Sequence, residues 1–380
     1  MNETVGTTAN HQKFNSDGNF KIMHITDTHL DKDNIDMSVW LIGEACSREK
    51  PDIVIITGDN VQNEEDSAVT KGYINKLMNV FEERSIPVAV TFGNHDSEVG
   101  AMSRGELMAY YNTFSCSVTH HKEGADACIS TFNVPVLSST DNDVKFNLWV
   151  FDSNDYDGEG HYGCVLEDGV QWYNATSATL TAQNRGEKVY SLAFQHIIVP
   201  EVYDALKKVN KRKLYSFSHM YNKNNFYMFD PSVKNFGTLN ETPCCGYPNY
   251  GQFEAMAKNG DVLAIFSGHD HTNAFGVKHK GIDISNSLST RYNNDRFSSQ
   301  YGYRIIEVNE SNTAAYTSYN VHWYNMFKHK DLADIKASGD AFAYKTACAV
   351  TYKGLMQRFL TKTGRLFSTK VTGRRVTYND

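Results

Sequence analysis

Zinc-type thiolate pairs are missing from this sequence: its seven cysteines, at positions 46, 116, 128, 164, 244, 245 and 348, include no CxxC spacing. Thiolate metal chemistry is therefore not where the chain points. The odd number means that at least one thiol is free or bonded between molecules. Cys244 and Cys245 are adjacent and would bond each other only under strain. No apolar stretch approaches membrane-spanning length, and Met1 to Ser16 is polar where a secretory leader would carry an apolar core. That reads as a cytoplasmic protein without a transmembrane segment, with secretion left open. Positive charge is not in excess either. The 37 Lys and Arg face 44 Asp and Glu, and a net charge of −7 argues against a dedicated nucleic-acid binder. No internal repeat is visible.

The charge is unevenly spread. Residues 345–380 hold eight Lys or Arg and a single acid, Asp380, a local +7 that leaves −14 on residues 1–344. A solvated terminal segment is the plainer reading of this tail, although a basic tail on an acidic body can touch a polyanion such as phosphate or anionic lipid. The composition, 41% apolar and 21% charged, is that of a globular protein with a sizeable core. The length suits one large domain or two ordinary ones.

Five short polar blocks carry most of the information, each directly after an apolar run. They are Asp27-Thr28-His29, Gly58-Asp59-Asn60, Gly93-Asn94-His95-Asp96, His196 and Gly268-His269-Asp270-His271. Short apolar runs bounded by turn signals read as buried strands. Ligands gather at the ends of such strands in α/β sheets. The blocks are thus expected along one edge of a sheet. Helical spacing is predicted over Met37–Ser47, Ala68–Phe81, Glu167–Leu180 and Phe253–Lys258. Strands are predicted near 20–26, 52–57, 87–92, 145–151, 189–194 and 262–267, then near 273–278, 282–286, 301–308 and 314–323. Residues 211–249 are aromatic and turn-rich without periodicity, which suits a long functional loop. Cys348, Tyr352, Leu355, Met356 and Phe359 have helical spacing and read as a face that docks on the body.

Carboxylate, amide oxygen and imidazole together suit hard or borderline metals. Asp59 follows a sharp strand exit, so its two oxygens can bridge two metals. One metal then takes Asp27, His29 and His271, and the other Asn94, His196 and His269. His269 and His271 emerge on the same side of an extended segment, and each can serve a different ion. The glycines at 58, 93 and 268 let the backbone turn tightly beside the site. Two such metals a few ångströms apart suit phosphate-ester hydrolysis, with a metal-bridging hydroxide as nucleophile. His95 is the candidate general acid, and Asp96 its candidate orienter. His24 reads as a packed core residue and the His120–His121 pair as loop surface. Glu201 reads as the start of a helix, and His219 as a candidate substrate contact. Asn60 is either a loop cap or a phosphate donor.

D-x-H, G-D-N, G-N-H-D, a single His after a strand and G-H-D-H, in this order, resemble the calcineurin-like metallophosphoesterase superfamily. "AVTFGNHDSE", "GCVLEDGVQWYNATS", "AFQHIIVPEVYDAL" and "FSGHDHTNAF" are similar to its purple-acid-phosphatase-like branch of plant, fungal and bacterial proteins, over roughly residues 20–310. The resemblance implies an α/β fold, a four-layer αββα sandwich of two mixed sheets. It also implies a dinuclear centre with the ligands given above, and it favours Asn60 as a phosphate donor. The purple enzymes carry a Tyr three residues after the bridging Asp, where this chain has Gln62. No tyrosinate band is therefore expected, and Mn, Fe or Zn are equally open as the metals. The expected organisation is a polar segment 1–18, a catalytic domain 19–325 and a basic extension 326–380 with helical spacing. The expected function is that of a phosphomonoesterase or protein phosphatase acting on a phosphorylated small molecule or protein. The rivals are a phosphodiesterase for cyclic nucleotides, lipid head groups or nucleic acid, and a scaffold of the same fold without activity.

Overall fold

Alternation along the strands decides the architecture in the computed structural model, which describes residues 12–98, 100–119, 129–230, 232, 236–292 and 300–370. The first part of the chain runs through β1 (Gln12–Lys13), β2 (Asn19–Ile25), α1 (Ile35–Glu49), β3 (Ile53–Thr57), α2 (Ser67–Glu82), β4 (Val88–Thr91) and α3 (Arg104–Tyr111). The middle follows with β5 (Phe132–Leu137), β6 (Val144–Val150), α4 (Glu167–Gln183), β7 (Ser191–Phe194), α5 (Val202–Ala205), β8 (Lys207–Val209), β9 (Phe217–Ser218), β10 (Phe226–Met228) and β11 (Phe236–Thr238). Then come α6 (Gln252–Asn259), β12 (Val262–Ser267), β13 (Ala274–His279), β14 (Ile282–Asn286), β15 (Gly302–Asn309), β16 (Tyr316–His322), α7 (Trp323–Met326), α8 (His329–Ala337) and α9 (Ala341–Lys370).

Phe20 and Ile22 of β2, Ile53 and Ile55 of β3 and Ala89 of β4 point inward, where they meet Phe146 and Leu148 of β6, Leu192 and Phe194 of β7 and Ala264 and Phe266 of β12. Their neighbours Met23, Ile25, Val54, Ile56, Val88 and Val90 face the other way, onto α1, α2 and α3. On the far side Trp149, Ala193 and Ile265 pack against α4, α5 and α6. The result is helix, sheet, sheet, helix. Each fully buried Leu, Ile or Phe contributes about 1.5–3 kcal/mol, and a one-residue slip would turn every inward side chain outward. The register is fixed by that penalty.

Both large sheets are mixed. One has the order β16-β15-β2-β3-β4, with β2, β3 and β4 parallel. The other has the order β1-β5-β6-β7-β12-β14-β13-β11, with β6, β7, β12 and β14 parallel. The polar blocks lie at the carboxyl ends of β2, β3 and β4 in the first sheet and of β7 and β12 in the second. This corrects the expectation of a single sheet edge: the blocks straddle two facing sheets. Spacing along a chain reports βαβ rhythm but not which sheet a later strand joins.

Four further expectations change. Residues 12–18 belong to the body, because β1 pairs in parallel with β5 and Phe14 is buried. Residues 211–249 are not one long loop; β9 and β10 form an antiparallel sheet with β8, and β11 edges the eight-stranded sheet. The boundary at 325 is not a domain boundary, since Trp323, Met326, Leu332, Ala347 and Val350 join the core over the five-stranded sheet. Helix α9 docks through its small residues rather than its large ones. Gly354 lies so close to Tyr324 that a Cβ there would be 2.4 Å from the Tyr324 Cβ, whereas Tyr352, Leu355 and Met356 are 54, 45 and 58% exposed. The His120–His121 pair, Cys128 and residues 371–380 lie outside the described residues. The six described cysteines are all free thiols.

Candidate metal centre

Chain direction changes abruptly where β2, β3 and β12 end, and the backbone there is held in a costly conformation. Asp27, His29, Asp59 and His269 have φ of +52, +40, +51 and +73°. The left-handed region costs a non-glycine residue about 1–3 kcal/mol and clusters at functional sites. Here it turns four polar side chains back toward one point.

Asp59 is at that point. Its Oδ1 accepts the backbone N–H of His95 at 2.9 Å. Its Oδ2 is buried without a hydrogen-bond partner and lies 3.4 Å from His29 Nε2 and 3.3 Å from His196 Nε2. On one side, His29 Nε2 is 3.0 Å from His271 Nε2, which is 3.4 Å from Asp27 Oδ1. On the other side, His196 Nε2 is 3.2 Å from Asn94 Oδ1, and the His269 ring is 5.1 Å from that of His196. Asp27, His29, Asp59 and His271 form one group with mutually close ligand atoms; Asp59, His196 and His269 form another. Asp59 belongs to both.

The hydrogen bonds around these side chains set which atoms face inward. His196 Nδ1 donates to the Thr57 carbonyl at 2.7 Å, which leaves Nε2 as the lone-pair nitrogen. Asn94 Nδ2 donates to the Tyr156 hydroxyl at 3.0 Å, which aims its Oδ1 at the centre. His269 Nε2 is buried without a partner. Asp27 is anchored by the His269 N–H and by Thr26 Oγ1 at 2.9 Å. Acceptors thus converge with too few protons to share, and a cation resolves that conflict. The donor set fits metal ions.

Electrostatics agree. Burial opposes a charged His196 ring, but the adjoining Asp59 carboxylate outweighs it and pushes the ring up to about 9. Burial also opposes ionised Asp59, yet the His196 ring beside it keeps the carboxyl well below its usual range. Burial pushes His29 down to about 4 and His269 to about 3, so both rings are neutral and available as ligands.

Gly93 leaves the room this geometry needs. A Cβ at that position would be 2.2 Å from Asp59 Oδ1 and 2.7 Å from His196 Nε2. Gly93→Ala is expected to lose bound metal and to cost about 1–3 kcal/mol of stability through overpacking. Elemental analysis beside thermal melting tests it; a variant with full metal content would contradict this geometry.

Two expected roles are corrected. Asp96 does not orient His95. Its buried carboxylate accepts the backbone N–H of Gly93 at 2.7 Å and of Asp59 and Asn60 at 2.8 Å each, which ties the loops after β3 and β4 together. Burial, then the nearby Asp59 charge, raises it to about 6. The partner of the half-exposed His95 ring is Glu98, whose carboxylate meets Nδ1. Asn60 is wholly buried and donates to the Thr91 carbonyl at 3.1 Å, so it serves the fold rather than a phosphate. His219 stacks on Tyr203, with ring centroids 4.0 Å apart, and its Nδ1 accepts the Tyr221 N–H. Those contacts hold it in the β8–β10 region. His24 is a core residue hydrogen-bonded to Ser287 and Thr57, and Glu201 precedes the short α5.

Sequence reasoning missed three residues at the site. Glu98 stands three residues from His95, a spacing that could have been read. Tyr156 and Tyr162 come from the Gly/Asp-rich loop after β6 and wall the centre, with Tyr162 edge-on to His269 at 4.3 Å. Nothing in their spacing signals that placement.

A sandwich of two mixed sheets with Asp, Asn and His gathered at the carboxyl ends of strands from both is a metallophosphoesterase architecture. The match within that class is specific. Residues 20–273 fit the family model for calcineurin-like phosphoesterases, and the chain belongs to that family. It is 25% identical over 308 residues to Arabidopsis thaliana "Probable inactive purple acid phosphatase 14", covering 72% of this chain and 70% of that protein. It is also 24% identical over 223 residues to Saccharomyces cerevisiae "Phosphatase DCR2", covering 52% of this chain and 38% of that one. Among solved structures, a dimetal phosphatase from Danio rerio aligns over 76% of this chain and 92% of its own, with a TM-score of 0.48 and 13% identity.

Proposed function

We propose that this protein hydrolyses phosphate monoesters, on a small molecule or a protein, with two metal ions held by Asp27, His29, Asp59, Asn94, His196, His269 and His271. The observation that carries the reading is the orphaned Asp59 Oδ2 between His29 and His196. A scaffold has no need to keep a buried carboxylate oxygen without a hydrogen bond among imidazoles, because an unsatisfied buried polar atom is costly. Metals bound there would polarise the phosphoryl oxygens and supply hydroxide near neutral pH. The chain itself contributes the rest. Asp96 clamps the two loops that present Asp59 and Asn94. His95, with Nδ1 held by Glu98, keeps its other ring nitrogen for the proton that the leaving oxygen needs. The acidic body favours compact phosphomonoesters over nucleic acid.

Turnover of an aryl phosphate by protein reconstituted with Mn, Fe or Zn, measured beside its metal content, tests this. Bound metal with turnover that a chelator abolishes is expected. Metal without turnover would favour the scaffold reading, which the names of the plant relatives suggest for those proteins. A second prediction concerns colour. Gln62 is exposed at the position of the purple tyrosine, so iron-loaded protein is expected to show no tyrosinate charge-transfer band in its visible spectrum. Such a band would mean that another tyrosine enters the centre.

A further inference from the structure

We propose that the outward face of α9 docks on an anionic lipid surface. The helix has two faces. Ala343, Ala347, Val350 and Gly354 turn toward the body and are buried, whereas Tyr352, Leu355 and Met356 lie on the opposite side, with Phe342 exposed near the start of the helix. These four account for a third of the twelve large apolar side chains exposed among the described residues. The other eight are distributed over the remainder of the fold, so the concentration on one helix is local. Scattered exposed apolar residues need no explanation, but a row of them on one helix marks an interaction surface.

Charge selects the partner. Residues 345–380 carry eight Lys or Arg and one acid, while the preceding residues are strongly acidic. Lys345 is exposed beside the apolar row, and Lys353, Arg358, Lys362 and Arg365 follow in the sequence. A helix with an apolar face and abundant Lys and Arg matches a bilayer interface, which offers acyl chains to one and anionic head groups to the other. Nucleic acid supplies phosphate but no apolar layer for Leu355 and Met356. No helix among the described residues is long and apolar enough to cross a membrane, so the expected mode is contact in the plane of the surface. This inference does not depend on the hydrolase reading.

Co-sedimentation of the full-length protein with phosphatidylcholine vesicles, with and without phosphatidylserine, tests it. Binding is expected only with phosphatidylserine and is expected to weaken as salt rises. Leu355→Glu/Met356→Glu should lower partitioning at least about tenfold, since insertion of the apolar face is removed. Lys345→Glu/Arg358→Glu should lower it about fivefold or more per charge. Both pairs are to be checked for an unchanged melting temperature. The proposal is overturned by any of three results: no sedimentation, sedimentation indifferent to phosphatidylserine, or undiminished binding by Leu355→Glu/Met356→Glu. It is equally overturned if light scattering shows a dimer that this variant dissolves while vesicles are ignored, or if RNA is bound in place of vesicles.

Discussion

Asp59→Asn is expected to empty both metal positions while leaving the fold in place. The substitution keeps size and shape, and Asn is among the few residues that tolerate the left-handed region that Asp59 occupies at φ +51°. An amide oxygen can still accept the His95 N–H that Asp59 Oδ1 now receives. What disappears is the negative charge that both ligand groups share. Loss of an outer-shell partner alone lowers metal affinity about 10–100-fold, so loss of the shared carboxylate should exceed about 100-fold, with activity falling in step. Stability should respond in two ways. The metal-free variant should melt below the metal-free parent, because the carboxylate that pairs with the buried His196 ring at 3.3 Å is gone. The gain in melting temperature on adding metal, which reports binding to the native state, should vanish. Retention of two metals per chain by Asp59→Asn would show that Asp59 is not the bridge.

How much of this was legible beforehand depended on local signal. The layers and the major strands follow from apolar runs, which is why β14, predicted at 282–286, runs Ile282–Asn286. The ligand blocks were legible for the same reason, as polar residues placed immediately after such runs. Short strands were not: β8 to β11 span two or three residues each, in aromatic, turn-rich sequence whose pairing is fixed by distant neighbours. The division of the centre between two sheets is a tertiary fact that spacing does not encode. The reading of α9 failed instructively. Large apolar residues at helical spacing suggested a docking face, but close approach to Tyr324 favours Gly354 and the alanines, and turned the large residues outward. Asp96 failed for a related reason. Adjacent to His95 in sequence, its carboxylate is claimed by three buried backbone N–H groups that would otherwise lack an acceptor.

That reassignment sharpens the second large prediction. His95→Ala should keep its metals, because the residue touches the centre through its backbone N–H to Asp59, which alanine preserves. Its ring belongs to neither ligand group and is directed to Glu98 instead. The variant should lose the proton delivered to the departing oxygen, a contribution of about 10²–10⁴ in rate. The loss should be greatest for alkyl phosphates, whose alkoxides leave poorly, and smallest for aryl phosphates with acidic phenols. Glu98→Gln should fall between the parent and His95→Ala, since it weakens the hold on the ring without removing the acid. Asp96→Asn should behave differently from both. It disturbs the clamp on Asp59 and Asn94, so metal affinity should fall with activity, and alike for good and poor leaving groups. Metal content and leaving-group dependence measured across these three variants therefore separate the acid from the clamp. If His95→Ala sheds metal, or if Asp96→Asn shows the leaving-group dependence that Glu98→Gln lacks, the pairing of His95 with Glu98 is not the one that operates in catalysis.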